Sequence, residues 1–217
     1  RPVSYCSDIT KNRILECAKE EFLRNGFEKA QVGEIAKTAN VTTGAIYRHF
    51  KNKEELFFTL IEDVYEYTLD IVTDVEIRST DKASMPLSEE TDNVVIEALF
   101  SETMRFVDYM YEHFDEFKLL LACSKGSRVE NFAEEIADRY THKNMKLIQA
   151  AAGKKSSATK IKELEVHIIT KGYITSLCEC IIHAIPYDDV SRYIKSIVTF
   201  QYYGWGGLLN ELRIYHE

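Results

Sequence analysis

The sequence predicts an all-α protein, and three observations carry that prediction. Its 217 residues include only 9 Gly and 3 Pro, too few turn-formers for the short strands and tight hairpins of a sandwich or barrel. Hydrophobic residues at 45% and charged residues at 29% can fill a core and solubilise a surface, which excludes intrinsic disorder and a collagen-like chain. Apolar residues recur at helical spacing along most of the length.

The first helix runs from Thr10, with Ile14, Ala18 and Phe22 at four-residue intervals and Leu15 beside them; Gly26 stops it. A short second helix, roughly Val32 to Thr38, has Ile35 and Ala36 as its apolar contacts. Ala39-Asn40-Val41 then turns, because Asn tolerates a left-handed backbone. Thr42 or Thr43 caps a third helix whose Ile46 and Phe50 lie one turn apart. Asn52-Lys53-Glu54-Glu55 reads as a capping box opening a long fourth helix that carries Leu56, Leu60 and Val64 and reaches about Val75. Periodicity is lost over residues 76–91. Further helices are expected near Asn93–Glu112, Phe114–Ala122, Arg128–Ala151 and Thr159–Ala184, with a polar break at Gly153–Ser157. After Ile185-Pro186-Tyr187, Asp188 or Asp189 caps a last helix from about Val190 to Leu212. Gly204, Gly206 and Gly207 beside Trp205 each cost about 1 kcal/mol inside a helix relative to Ala, so close helix approach or a local break is expected there.

The net charge of −8 is unevenly placed. Residues 1–60 hold 10 Lys and Arg against 8 Asp and Glu, and the remainder holds 17 against 27. An N-terminal piece compatible with phosphate is joined to an acidic body that is not. No stretch approaches 18 consecutive apolar residues, and residues 1–10 lack the apolar core of a signal peptide, so a cytoplasmic protein without a membrane segment is expected. Cys6, Cys17, Cys123, Cys178 and Cys180 are scattered without a CxxC pair, which points to reduced thiols rather than a disulfide scaffold or structural zinc. Cys180 and His183, three apart on one helix, with Cys178 and His167 near, are the conceivable soft-metal ligands. A buried thiol and a satisfied histidine are the commoner outcome of such spacing, and neither metal nor cofactor is expected. Walker-type, GxGxxG, GxSxG and HExxH motifs are absent, and pairs such as Asp115-Glu116 and Glu134-Glu135 fall on mixed charged faces, so no enzyme is predicted.

The informative stretch is residues 31–53, QVGEIAKTANVTTGAIYRHFKNK. Two short helices at a tight turn make a helix-turn-helix, whose second helix is slim enough for the major groove while the first lies across the backbone. Ile46 and Phe50 must turn inward to hold the second helix, leaving Thr42, Thr43, Gly44, Ala45, Tyr47, Arg48 and His49 outward. Thr43 and Gly44 sit where free backbone N–H groups attract phosphate, Tyr47 and His49 can donate to phosphate oxygens, and Lys53 adds a positive charge. Arg48 can contact guanine through two hydrogen bonds, while Ala45 and a Thr methyl can touch a thymine methyl.

Taken together, Gly26-Phe27, Ile35-Ala36, Ala39, Val41, Gly44, Ile46-Tyr47, His49-Phe50 and Lys53-Glu54-Glu55-Leu56 resemble the DNA-binding domain of TetR-family (tetracycline-repressor-like) regulators over roughly Arg13 to Leu60. The resemblance implies a three-helix DNA-binding domain in residues 1–52 and a larger helical ligand-binding and dimerisation domain in residues 53–217, linked by the helix over about 53–75. It implies a homodimer through the last two long helices, double-stranded operator DNA as one partner, a small-molecule effector as another, and repression as the activity. It also implies operator contacts by Thr43, Gly44, Tyr47, His49 and Lys53. The chain departs from the family at Asn40, where Gly is usual in the turn, and at Ala30-Gln31, where a Thr commonly helps to cap the second helix.

In the acidic body, Ile161, Leu164, Ile168, Thr175, Cys178 and Ile182 fall on one side of a helix, and Ile194, Ile197, Val198 and residues 201–208 supply its partner, which would make a four-helix interface between two subunits. Tyr65, Met104, Tyr109, Phe114, Phe117, Tyr140, Met145, Tyr173 and Trp205 are the candidates to line an effector pocket, with plain core packing as the competing reading. The many tyrosines and the negative body point to a cationic apolar ligand through cation–π contacts. The alternative function is a helical small-molecule or metal-binding protein that does not bind an operator.

Overall fold

Gly26 decides how the first helix ends. Its φ of 69° and ψ of 164° leave the helical region, so α1 (Val3–Lys29) kinks there, as the lone glycine predicts. The helix begins before the expected Thr10. The computed structural model describes residues 3–74, 89–152 and 162–214. All of its described elements are helices: α2 (Val32–Thr38), α3 (Thr43–His49), α4 (Lys53–Asp74), α5 (Glu89–Glu112), α6 (Phe114–Ala122), α7 (Phe132–Ala152), α8 (Glu163–Ile182) and α9 (Tyr187–Ile214). The expected end of α4 at Val75, the aperiodic stretch 76–88, the polar break at 153–157 and the helix start at Thr159 lie outside the described residues.

Two compact units result. The first comprises Arg1–Thr68 and His113–Phe132. In it α1 packs on α2, α3 and α6, and α2 packs on α3. The four-residue spacing of Ile14, Ala18 and Phe22 buries all three completely, and Phe22, Phe27 and Phe57 form an aromatic triangle with centroids 5.0–6.1 Å apart. Lys19 of α1 pairs with Asp115 and Glu116 in the first turn of α6, at 3.1 and 2.9 Å. Beyond α6, the Phe27 N–H donates to the Cys123 carbonyl at 2.7 Å, and the Arg128 N–H donates to Glu54 Oε1 at 3.1 Å. The Arg128 guanidinium lies 3.7 Å over the Phe58 ring.

The second unit comprises Leu69–Glu112 and Ala133–Glu217. Here α5, α8 and α9 pack mutually around Ile96, Val107, Leu177, Cys180, Val190, Ile194 and Val198. A smaller cluster sets Met145, Trp205 and Leu208 against Ile148 and Val166. Tyrosine hydroxyls staple the helices together. Tyr111 donates to the Ile185 carbonyl at 2.7 Å, Tyr187 to Asp108 at 2.7 Å, Tyr193 to the Ser176 carbonyl at 3.0 Å and Tyr202 to Asp92 at 2.8 Å.

Several boundaries differ from expectation for local reasons. Residues 89–91 belong to α5 rather than to a loop. Residues 128–131 form turns instead of opening α7; Gly126 takes a φ of 86°, and its N–H is held by Glu130 Oε2 at 2.8 Å, which fixes a non-helical path. α8 stops at Ile182 because Ala184 enters the left-handed region with φ 47°. α9 starts at Tyr187, directly after Pro186, so Asp188 and Asp189 occupy its first turn instead of capping it. There their charge suits the helix dipole. Gly204, Gly206 and Gly207 interrupt nothing. α9 runs through them, and a Cβ at any of the three would meet open space, so neither a break nor a close approach within the chain accounts for them.

Candidate nucleic-acid interface

α3 is aimed by two side chains. Ile46 is 1% exposed and Phe50 is 2% exposed, and packing against α1 and α2 turns the remaining positions outward. The turn before α3 works as its residues require. Asn40 has φ 52°, and the Val41 N–H returns to the Ala36 carbonyl at 2.9 Å. Thr42 is the cap: its backbone is extended and its Oγ1 accepts the Ala45 N–H at 3.1 Å. Gln31, at the start of α2, makes no side-chain cap. Its N–H goes instead to Glu21 Oε1 at 3.2 Å, so a buried carboxylate from α1 satisfies the end that lacks a threonine.

Of the predicted contact residues, Thr42, Thr43, Gly44, Tyr47 and Arg48 are exposed, and Ala45 and His49 are half-buried. Tyr47, at 50% exposure, is among the large side chains left open to solvent. Lys53 behaves differently from a free surface cation. Its ammonium donates to the carbonyls of Phe27 at 2.7 Å, Ala30 at 3.2 Å and Glu28 at 3.4 Å, and sits 4.5 Å over the Phe27 ring. It therefore closes the end of α1. The available signal was its place in the first turn of α4, where the helix dipole disfavours a cation unless acceptors stand nearby. Asn52 Oδ1 accepts the Glu55 N–H at 2.8 Å, and Glu55 reaches back to the Lys51 N–H at 2.7 Å, one residue beyond the expected capping box. Lys51, exposed between α3 and α4, is a cation the helix-based reading passed over.

The effector candidates do not form one cluster. Tyr65, Phe114 and Phe117 belong to the first unit, with Phe117 fully buried and Tyr65 against Phe132 at 5.2 Å. Met104 and Tyr173 pack on the α5–α8–α9 core, and Met145 and Trp205 on the smaller cluster. The Tyr173 hydroxyl shares a hydrogen bond with Thr103 at 3.1 Å, and burial pushes the Tyr140 phenol up to about 12. Tyr109, on α5, also belongs to the second unit. A groove of about 520 Å³ opens elsewhere in that unit, between Glu97 and Phe100 of α5 and Asp188, Arg192 and Lys195 of α9.

The imagined soft-metal set is not gathered. Cys178 and Cys180 are buried in the second unit, where burial holds their thiols up at about 12 and about 11. His183 faces Glu179 at 2.8 Å. Among the described residues, Glu134, Asp138 and His167 are the metal-ligand types that do converge. There His167 Nε2 lies 3.2 Å from Glu134 and Nδ1 lies 3.3 Å from Asp138, while Lys171 also pairs with Glu134. Histidine and lysine thus answer the carboxylates. His142 is exposed and His113 half-buried; His216 lies outside the described residues. No described helix is long and apolar enough to cross a membrane.

Known proteins share this arrangement. Residues 14–60 match the family described as bacterial regulatory proteins, tetR family. The HTH-type transcriptional regulator AcrR of Shigella flexneri is 28% identical over 194 residues, 88% of this chain and 86% of that protein. The HTH-type transcriptional regulator QacR of Staphylococcus aureus is 43% identical, but over 51 residues, 24% of this chain and 27% of its own. Among solved structures, a TetR-like transcriptional regulator from Rhodococcus sp. RHA1 superposes with a TM-score of 0.57 at 16% identity, covering 96% of this chain and 97% of that one. NalD of Pseudomonas aeruginosa, titled the secondary repressor of the MexAB-OprM multidrug efflux pump, gives 0.51 at 17% identity, covering 88% and 96%. These two structures establish the shared all-helical fold. The match along the whole helix-turn-helix makes residues 14–60 a helix-turn-helix of the tetR family of bacterial regulatory proteins, and the chain as a whole is similar to a regulator that carries one.

Proposed function

We propose that this protein is a one-component transcriptional repressor in the cytoplasm, which occupies a pseudo-palindromic operator as a homodimer and is released when a small molecule binds its C-terminal domain. The observation that carries the proposal is the α3 surface: Thr42, Thr43, Gly44, Tyr47 and Arg48 stand open to solvent while Ile46 and Phe50 are sealed beneath them. A major groove accepts such a helix. In this reading Tyr47, Thr43 and the half-buried His49 contact phosphate and set register, while Arg48 and Ala45 read bases. Lys53 contributes its field while it locks α1.

The dimer is assigned to α8 and α9 because both leave large apolar side chains in water. Leu164 and Ile168 are 65% and 60% exposed, and Phe200 and Tyr203 are 76% and 53% exposed. Large apolar side chains exposed in this way are expected at an interface. Ligand binding then tilts α4, changing the spacing of the two recognition helices from about 34–36 Å, one turn of duplex, and a coupling of about 1–3 kcal/mol makes a usable switch.

Binding-site selection from random duplexes with the purified protein tests the proposal. Tyr47→Ala should weaken binding to every sequence alike, whereas Arg48→Ala should cost about 1–3 kcal/mol and relax preference at one base position. Equal losses for Arg48→Ala on selected and random DNA would remove its reading role. Affinity should also fall steeply with salt; a protein that only carries a ligand would show no such slope.

A further inference from the structure

Among the described residues of the second unit, one ammonium is shielded from solvent with nothing to accept its hydrogen bonds. Lys143 lies on α7, and its ammonium nitrogen is shielded from solvent without a hydrogen-bond acceptor. The aromatic face it has is Tyr140, one turn earlier, with the ring centroid 5.9 Å away. Other polar side chains of α7 and α8 are already committed. Asn144 donates to Thr170 at 3.0 Å, and Glu134 and Asp138 are taken up by His167 and Lys171. Other lysines of the same unit do find carboxylates, as Lys195 does with Glu97. In a chain with 35 acidic residues against 27 basic ones, a shielded ammonium with no acceptor among the described residues stands out.

An ammonium shielded from water without an acceptor is disfavoured in its charged form. Burial accordingly pulls the Lys143 amine below its ordinary range. A shielded ammonium without an acceptor is relieved by anything that brings a negative charge to it. We propose that Lys143 anchors a monoanionic amphiphile of the carboxylate class, its carboxylate on the Nζ and its apolar body against the Tyr140 ring. A single ammonium balances a single negative charge; a phosphate dianion would carry a second, unanswered charge into the same unsolvated place. The inference rests on the reading of the second unit as the effector domain and adds the ligand's chemistry to it. It differs from the expectation of a cationic ligand, which rested on the many tyrosines and the negative body, by starting from a single unanswered ammonium.

Isothermal titration of the full chain with decanoate, 1-decanol and decyltrimethylammonium, each below its micelle concentration, tests the anchor with three probes of one tail length. Decanoate should bind about tenfold more tightly than either other probe, the worth of one charge-assisted hydrogen bond. Lys143→Met should abolish that preference and Lys143→Arg should keep it, with circular dichroism establishing that both variants are helical. Independently of any folding defect in the Met variant, the ¹³Cε resonance of Lys143, assigned by its loss in Lys143→Arg, should move with decanoate and stay still with decanol. Equal affinity for the three probes, binding of none of them, a preference that survives in Lys143→Met, or an unmoved resonance would each overturn the anchor. Duplex binding by the same wild-type preparation separates the two readings. Duplex bound without decanoate preference removes the anchor alone, and decanoate preference without duplex binding removes the operator reading alone.

Discussion

Thr42 and Lys53 divide the work of holding the helix-turn-helix, one locally and one at a distance. The Thr42 hydroxyl accepts a backbone N–H three residues on, a contact that the order of residues predicts. Thr42→Ala should destabilise the protein by about 1 kcal/mol, whereas Thr43→Ala, with no cap to lose, should leave the urea midpoint nearly unchanged. The Lys53 ammonium serves three carbonyls up to 26 residues earlier. Lys53→Met retains the stem and removes the donors, leaving those carbonyls without their charged partner. It should cost about 1–3 kcal/mol in denaturant unfolding, and a Lys53→Met protein as stable as wild type would show the contact to be idle. Ile46 and Phe50 were legible because burial repeats at helical spacing; the second task of Lys53 was not, since nothing local names its acceptors.

A seven-residue helix such as α3 is too short to persist alone in water, so its direction depends on the two residues that seat it. α8 and α9 show the converse, long helices with more apolar surface than one chain covers. Along α9, Ile194 and Val198 are sealed within the second unit, but Phe200 and Tyr203 are not; along α8, Cys178 turns inward, whereas Leu164 and Ile168 remain exposed. The periodic pattern placed all of these on apolar helices, yet it assigned Ile194, Val198 and Cys178 to a subunit contact although the core of their own unit claims them. Of the predicted interface Leu164, Ile168, Ile182 and Tyr203 are left outside, and Phe200, which the pattern had not assigned to it, stands exposed with them. Phe200→Glu or Ile168→Glu should shift the protein from dimer to monomer in sedimentation velocity and weaken operator binding with it, while the helical signal is retained. A dimer that persists in both variants would place the subunit contact elsewhere.

Buried acids with raised pKa give the whole molecule a direction of pH response. Burial pushes Tyr111, Tyr140 and Tyr202 up to about 12, from an ordinary 10.0, and Cys178 and Cys180 up to about 12 and about 11, from 9.0. Between the ordinary and raised values the unfolded chain releases protons that the folded chain retains, so stability falls as pH rises. Lys143, with a lowered value, acts the other way but is a single group. Urea midpoints should hold steady below about pH 9 and decline between about pH 9 and 12. A flat profile would mean that these side chains are wetter than the fold makes them. Local order in the chain set the helices, their caps, the turn at Asn40 and the two anchors under α3, because each depends on residues within a turn or two. Three-dimensional packing alone decided that α6 joins the unit containing the helix-turn-helix, that tyrosines tie α5, α8 and α9, and that Lys143 is stranded. Periodicity reports which face of a helix avoids water, but the identity of what covers that face depends on residues far away along the chain.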